Sequence, residues 1–381
     1  MQVYFDNAAT TPMRSEVIEV ISEAMRNCYG NPSSTHGYGR TAKSSIESAR
    51  KSVASLLGAE AKEIIFTSGG TESDNMVLQC AVKDLGVKTI ISSKIEHHAV
   101  LHTLDTLAEQ GVSIQYVAIT PNGNIDYQDL KNRLAACEKP VLVSLMHVNN
   151  EIGTVLDLNK VATLCQEHKA YFHTDAVQGI GHFEIDLSKT PIDFLSSAAH
   201  KYHGPKGVGF TFIRQNSGLH SFIHGGAQEK GLRAGTESVH NIIGMQKALE
   251  IAYAELESER AYIEALKKRF VKGLQKIFPN VHFNGGCDDF ESNTYTLVNA
   301  ALPINTTQSQ LLDFQLDLKG IACSKGSACQ SGSNTGSHVL KAIDTPENFA
   351  SLRFSFSTFN TNEEVDYVLD TLVAFTMEKA I

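Results

Sequence analysis

The chain has 381 residues, 42% of them hydrophobic, and a formal net charge of -9. That is ample for a large core and more than one lobe. The acidic balance argues against binding nucleic acid through phosphate neutralisation, and no apolar run approaches the ~20 residues that span a bilayer.

Neither nucleic acid nor membrane is therefore expected as a partner. The opening MQVYFDNAATTP lacks the basic and apolar regions of a secretory signal, so a cytoplasmic protein is expected. From about residue 63 to 213 short apolar runs alternate with amphipathic stretches. Seven strands are predicted: EIIFTSG from Glu63, KTIISS from Lys88, VSIQYVAI from Val112, PVLVSLMHV from Pro140, AYFHTDA from Ala170, DFLSSAA from Asp193 and GVGFTFI from Gly207. Helix-like segments at 71–85, 97–110, 127–136 and 158–168 lie between them. Strands separated by helices imply an α/β fold whose mainly parallel sheet is covered on both faces, with ligands at the carboxyl ends of the strands. A charge-rich helical stretch follows at about 239–277, then weaker strand signals (VHFNG, NTYTLVNA, SLRFSFS) and a C-terminal helix from Asn362. The expected division is a large domain at 15–256 and a smaller α+β domain made of 1–14 and 257–381.

The seven cysteines (Cys28, Cys80, Cys137, Cys165, Cys287, Cys323 and Cys329) are scattered, odd in number and free of any CxxC pair. Neither a disulfide framework nor a zinc ribbon is suggested.

Five segments can carry chemistry. SGGTESDN, at 68–75, follows a strand and opens a helix, so its glycines, free amides and dipole can hold an anion, with Thr71 and Asp74 placed to cap. Taken alone, that segment is better read as a well-capped helix without a ligand. HTDAVQ sets Asp175 at a strand end, where it either serves a ligand or caps the next helix. SSAAHKYHGPKGVG puts Lys201 just after another strand, at the same predicted sheet end, where desolvation would suit it to condense with carbonyls. His200 and His203 flank it with a spacing that suits a metal, but no carboxylate or cysteine completes such a site locally, so no metal is expected. IEHHAV places His97 and His98 after a third strand; one is structural, and the other is free to stack on a flat ligand or move protons. KGSACQSGSNTGS surrounds Cys329 with small residues, a setting for a nucleophile that must travel.

The motifs YFDNAATTP, GNPSSTHGYGR, FTSGGTESDN, EHHAV, HVNNEIG, HTDAVQ, AAHKYHGPKGVG, GGAQEKGLRAGTES, GSACQSG and LRFSFS occur in this order. Nearly end to end, the set resembles the cysteine desulfurases of the class V aminotransferase group, fold-type I enzymes that use pyridoxal 5'-phosphate, in the subgroup with a long cysteine loop. The resemblance implies that Lys201 carries the cofactor, Asp175 partners its pyridine nitrogen, Gln178 meets the ring hydroxyl and His97 stacks on the ring. It assigns phosphate contacts to Gly70, Thr71 and His200, and one to Thr236 across a homodimer. Asn150 and Arg353 would hold the substrate L-cysteine, and Cys329 would accept its sulfur as a persulfide. A sulfur-acceptor or scaffold protein would then collect it for iron–sulfur cluster assembly or tRNA thiolation.

Two departures stand out. Ala198 occupies the position where the family usually places a phosphate-binding serine, for which Ser197 is a candidate substitute. Lys325 replaces a frequent serine ahead of GSAC. A selenocysteine lyase, or another aminotransferase of the same fold, is the nearest alternative, and a non-catalytic docking scaffold the more distant one.

Overall fold

The computed structural model describes residues 1–304, 311–325, 336–343, 345–346 and 349–377, with 375–377 described for the backbone alone. At its centre is the seven-stranded sheet: β2 (Ile64–Thr67), β3 (Thr89–Ser92), β4 (Ser113–Tyr116), β5 (Val141–Ser144), β6 (Tyr171–Asp175), β7 (Phe194–Ala198) and β8 (Gly209–Ile213). Their spatial order is β2-β8-β7-β6-β5-β3-β4. Every pairing is parallel except those of β8, which runs antiparallel to both β2 and β7. The exception has a local cause. Between β7 and β8 the chain makes only a single 3-10 turn (Ala199–Lys201) and a Gly/Pro turn, too short for the helical crossover that a parallel partner needs.

The helices α3 (Gly70–Leu85), α4 (His98–Glu109), α5 (Tyr127–Ala136) and α6 (Leu158–Glu167) supply the crossovers, close to the predicted segments. Residues of β2, β5, β7 and β8 are buried throughout, as expected where both faces are covered. One apolar cluster, including Phe172, Phe210 and Val143, fills one face, and another, including Ile65, Leu142 and Phe194, fills the other. At about 1.5–3 kcal/mol for each fully buried large side chain, these layers make the strand ends a rigid platform.

Two helices near the N-terminus, α1 (Ser15–Asn27) and α2 (Gly37–Leu56), pack against α7 (Val239–Ala254). The stretch predicted as one helical run over 239–277 is two helices, α7 and α8 (Leu256–Ile277). Glu255 separates them at φ -106°, ψ 8°, with neither Gly nor Pro to announce the break.

A third apolar cluster lies apart from the large sheet. There β12 (Ala350–Ser355), β10 (Leu297–Leu302) and β9 (His282–Phe283) form an antiparallel sheet. Strand β1 (Val3–Tyr4) pairs in parallel with β11 (Ile321–Ala322). Phe5 of the N-terminal arm sits 4.9 Å from Phe356 and 6.1 Å from Phe270 between ring centroids, so the arm is packed into this cluster. Among the described residues, no helix is long and apolar enough to cross a membrane.

Candidate active site

The chain leaves β2 through Gly69, whose φ of +146° only glycine adopts readily, and enters α3 at Gly70. Thr71 and Asp74 do not cap this helix as expected: Gly69 is its N-cap, no side chain bonds the cap, and Asp74 is buried inside the helix. The first-turn amides of α3 still have no intrahelical acceptor. A Cβ on Gly70 would meet Val177 Cγ2 at 2.6 Å, so glycine is what leaves this end accessible.

At the carboxyl ends of β6 and β7 a cavity of about 190 Å³ opens. Gly70, Thr71, His97, Asn150, Asp175, Gln178, His200, Lys201 and Arg353 all line it. Lys201 Nζ donates to the carbonyls of Ala8 (2.6 Å) and Ala9 (2.8 Å), and Gln178 Nε2 donates to Ala8 O at 2.9 Å. The small-residue arm NAATTP is thus a wall of the site, a role no sequence signal disclosed.

Asp175 accepts the Val177 amide at 2.9 Å. Burial pushes its carboxyl up to about 6, against the opposing pull of that amide and of Lys201. His97 caps α4, its Nδ1 accepting from the Ala99 amide at 3.1 Å. Burial, with Lys201 and neighbouring histidines, lowers His97 to about 4. The ring is therefore neutral at physiological pH, and with Nδ1 engaged its proton sits on Nε2. His98 does not line the cavity; it packs against His102 and His338. His200 bonds Thr10 Oγ1 at 3.2 Å, and burial with Lys201 and Lys206 lowers it to about 4. His203 turns away, bonded to Pro12 O at 2.8 Å.

Arg353 comes from β12, so the smaller sheet also contributes a wall of the cavity. Its Nη1 donates to Asn150 O and its Nη2 to Asp6 Oδ1, each at 2.8 Å, while its buried Nε has no partner among the described residues. Asp74, Met146 and Val177 also line the cavity. Ligating atoms of Asp74, His97 and Asp175 lie within 4.8 Å of one another, with the Lys201 ammonium lining the same space.

Ala198 lines the cavity, but Ser197, one residue earlier on the strand, faces the other side of the sheet, toward Tyr202. Ser197 therefore does not replace the missing hydroxyl. Thr236 is exposed and does not line the cavity of this chain. Cys329 lies outside the described residues. Lys325, ahead of it, pairs with Asp313 at 2.5 Å.

Residues 3–368 match the aminotransferase class-V family. The chain belongs to that family. Its relatives within the family narrow the comparison. A cysteine desulfurase IscS of Dictyoglomus turgidum is 42% identical over 97% of this chain and 93% of that protein. A solved NifS-like protein superposes with a TM-score of 0.90 at 36% identity, covering 99% of both chains. SspA, solved in complex with cysteine, superposes with a TM-score of 0.81 at 33% identity, over 94% of this chain and 100% of that one.

The donor set fits the family's cofactor, pyridoxal phosphate. An amine (Lys201), a buried carboxyl (Asp175), a neutral flat ring (His97), an amide (Gln178) and a glycine-opened helix end (Gly70, Thr71) converge on one space. The position of Ala198 carries a prediction. Ala198→Ser is expected to add one hydrogen bond to the phosphate and tighten cofactor binding by about 1 kcal/mol, roughly fivefold. Absorbance titration of the cofactor-free protein measures it, and an unchanged Kd would mean the side chain does not reach the phosphate.

Proposed function

We infer that this protein is a pyridoxal-phosphate-dependent cysteine desulfurase that converts L-cysteine to L-alanine and holds the sulfur as a persulfide on Cys329. The observation that carries the reading is the convergence of Lys201, Asp175, His97, Gln178, Asn150 and Arg353 on one cavity of a class-V aminotransferase fold. Relatives named cysteine desulfurase, and a neighbour solved with cysteine, support the choice of reaction and substrate.

Bound in this cavity, pyridoxal phosphate supplies a carbonyl that condenses with amines and a ring that takes up the electron pair released at the substrate's Cα. Lys201 would hold the cofactor through its carbonyl, and its amine, lining the cavity, would be placed to move the Cα proton of the substrate. Asp175 holds a proton on the ring nitrogen. Gln178 orients the ring hydroxyl, while Gly70, Thr71 and His200 hold the phosphate. His97 packs its neutral ring on the cofactor and offers Nε2–H to the reacting groups. Arg353, with its unpartnered Nε, and Asn150 orient the substrate carboxylate.

Cys329 thiolate attacks the substrate sulfur. An S–S bond forms, the C–S bond breaks, and the carbon keeps the electron pair and takes up a proton. The sum is L-cysteine plus thiol giving L-alanine plus persulfide.

The exposed position of Thr236 supports a phosphate contact made across a homodimer. The apolar clusters support a division into 15–256 and 1–14 with 257–381. The six described cysteines are free thiols, which supports a reducing, cytoplasmic setting. The relatives named IscS support a carrier or scaffold protein as sulfur acceptor, for iron–sulfur assembly or tRNA thiolation.

Alanine release from L-cysteine, with and without a reducing thiol, tests the reaction. Thiol-stimulated alanine is expected, and its absence would sink the reading. For the carboxylate clamp, Arg353→Lys is expected to lower kcat/KM by about a hundredfold, mostly through KM, because an ammonium cannot make the forked contact. A loss confined to kcat would remove Arg353 from substrate binding.

A further inference from the structure

Asp74, Glu96 and Asp175 are three carboxyl groups buried close together at this site. Among the described residues lining the cavity the cations are Lys201 and Arg353, and Arg353 is already paired with Asp6. Three uncompensated anions cannot share so dry a space, since each costs several kcal/mol to desolvate. Hydrogen-bond donors decide which carboxyl keeps its charge. Asp175 has the Val177 amide and the field of Lys201. Glu96 Oε1 accepts from Ser93 Oγ at 2.7 Å and from the Met146 amide at 3.2 Å, but its Oε2 is buried without a partner among the described residues, and burial pushes its carboxyl up to about 8, so Glu96 carries no charge at neutral pH either. Asp74 has only the Ser196 hydroxyl to oppose the rise of its carboxyl, and among the described residues its Oδ1 is buried without a partner.

The groups facing Asp74 cannot repair this. His173 on β6 stands 3.6 Å away, and its nitrogens are already engaged with Ser144 at 2.9 Å and Ser196 at 3.1 Å. Burial keeps His173 neutral, lowering it to about 3. His97, Asp175 and Glu96 complete the surroundings, and the two carboxyls oppose a charge on Asp74.

We propose that Asp74 is held as a neutral carboxylic acid beside Asp175, a positioning residue that leaves Asp175 the single anion available to the cofactor's ring nitrogen. The inference rests on the reading of Asp175 as that nitrogen's partner. A second negative charge at Asp74 would raise the proton affinity of Asp175 until it took a proton itself, and the ring would lose its counter-charge. Asp74 acts through Asp175 and makes no bond to the substrate.

The test is infrared difference spectroscopy of the full-length protein at neutral pH, cofactor-free and cofactor-loaded. Wild type is compared with Asp74→Asn and Asp175→Asn. A carboxylic-acid C=O absorption present in wild type is expected to vanish in Asp74→Asn and persist in Asp175→Asn. Loss of a carboxylate absorption in Asp74→Asn would overturn the proposal and leave the role of Asp175 standing. Loss of the acid absorption in Asp175→Asn instead would overturn both.

Stability gives an independent readout. A carboxyl that binds its proton more tightly folded than unfolded stabilises fully below about pH 4. Its contribution is lost as pH rises toward the raised folded value. The folding constant of wild type relative to Asp74→Asn should therefore fall about tenfold per pH unit above about pH 4. Parallel pH profiles for the two proteins would overturn the proposal. If Asp74→Asn does not fold, wild type labelled with carbon-13 at the aspartate carboxyls reports by NMR whether a buried aspartic acid persists at neutral pH, and its absence counts against the proposal.

Discussion

Cys329→Ala is expected to keep the cofactor's visible absorbance unchanged while thiol-stimulated alanine production falls by at least about a hundredfold and persulfide becomes undetectable. The two readouts separate because they depend on different parts of the chain. Lys201, Asp175, Gln178 and the α3 terminus lie on the rigid ends of the large sheet, and Cys329 belongs to a separate Gly/Ser-rich segment. On the proposed reading, removing the thiol would leave the groups that hold the cofactor in place but give the substrate sulfur no nucleophile. Persulfide is measured by alkylation and mass spectrometry, and alanine by amino-acid analysis. If alanine production survived the substitution, the protein would be a lyase of the same fold that releases its chalcogen without a protein nucleophile. The selenocysteine-lyase alternative would then take precedence. An unchanged persulfide yield would place the acceptor sulfur on another cysteine. Among the described ones Cys323 is a poor candidate, because burial and the nearby Asp6 push its thiol up to about 12.

Lys201→Ala should abolish the borohydride-trapped cofactor adduct and lower turnover by at least about a thousandfold. The lysine has two tasks that no neighbour can share. Its Nζ is the amine lining the cavity, and among the described lining residues the other cation is a guanidinium, so strongly basic that it stays protonated and has no free electron pair to condense or accept a proton. Its removal also deletes the cation that favours the Asp175 anion and frees the carbonyls of Ala8 and Ala9. Cofactor affinity should therefore drop together with catalysis. Mass spectrometry of the reduced protein is the check. An adduct surviving in Lys201→Ala would place the covalent link on a different amine.

Much of this site is legible in the sequence because its parts are local. A strand followed by Gly-Gly and a helix, an Asp at the end of an apolar run, and a Lys before a Gly/Pro turn are short-range patterns whose physics needs no partner. They appear as β2–Gly69–α3, Asp175 on β6 and Lys201 after β7. The predicted sheet is likewise a matter of period and length, and the strands and crossovers fall close to their expected places.

What the sequence did not disclose is pairwise and distant. Periodicity cannot report that Ala8 and Ala9 meet Lys201, since 192 or more positions separate each carbonyl from the amine. Nor does Asp74 differ on paper from a helix-capping aspartate. Only the packing of α3 against β6 and β7 turns it inward beside Asp175. Ser197 and Ala198 are adjacent letters, and the strand's alternation alone decides which of them lines the cavity. Arg353 and Asp6 become partners because β12 and the arm meet across the second lobe, 347 positions apart. The sequence by itself determined the fold class, the family and the chemical groups present. The tertiary structure decided which of those groups share one dry cavity, because burial and charge are properties of neighbours in space and not of neighbours in the chain.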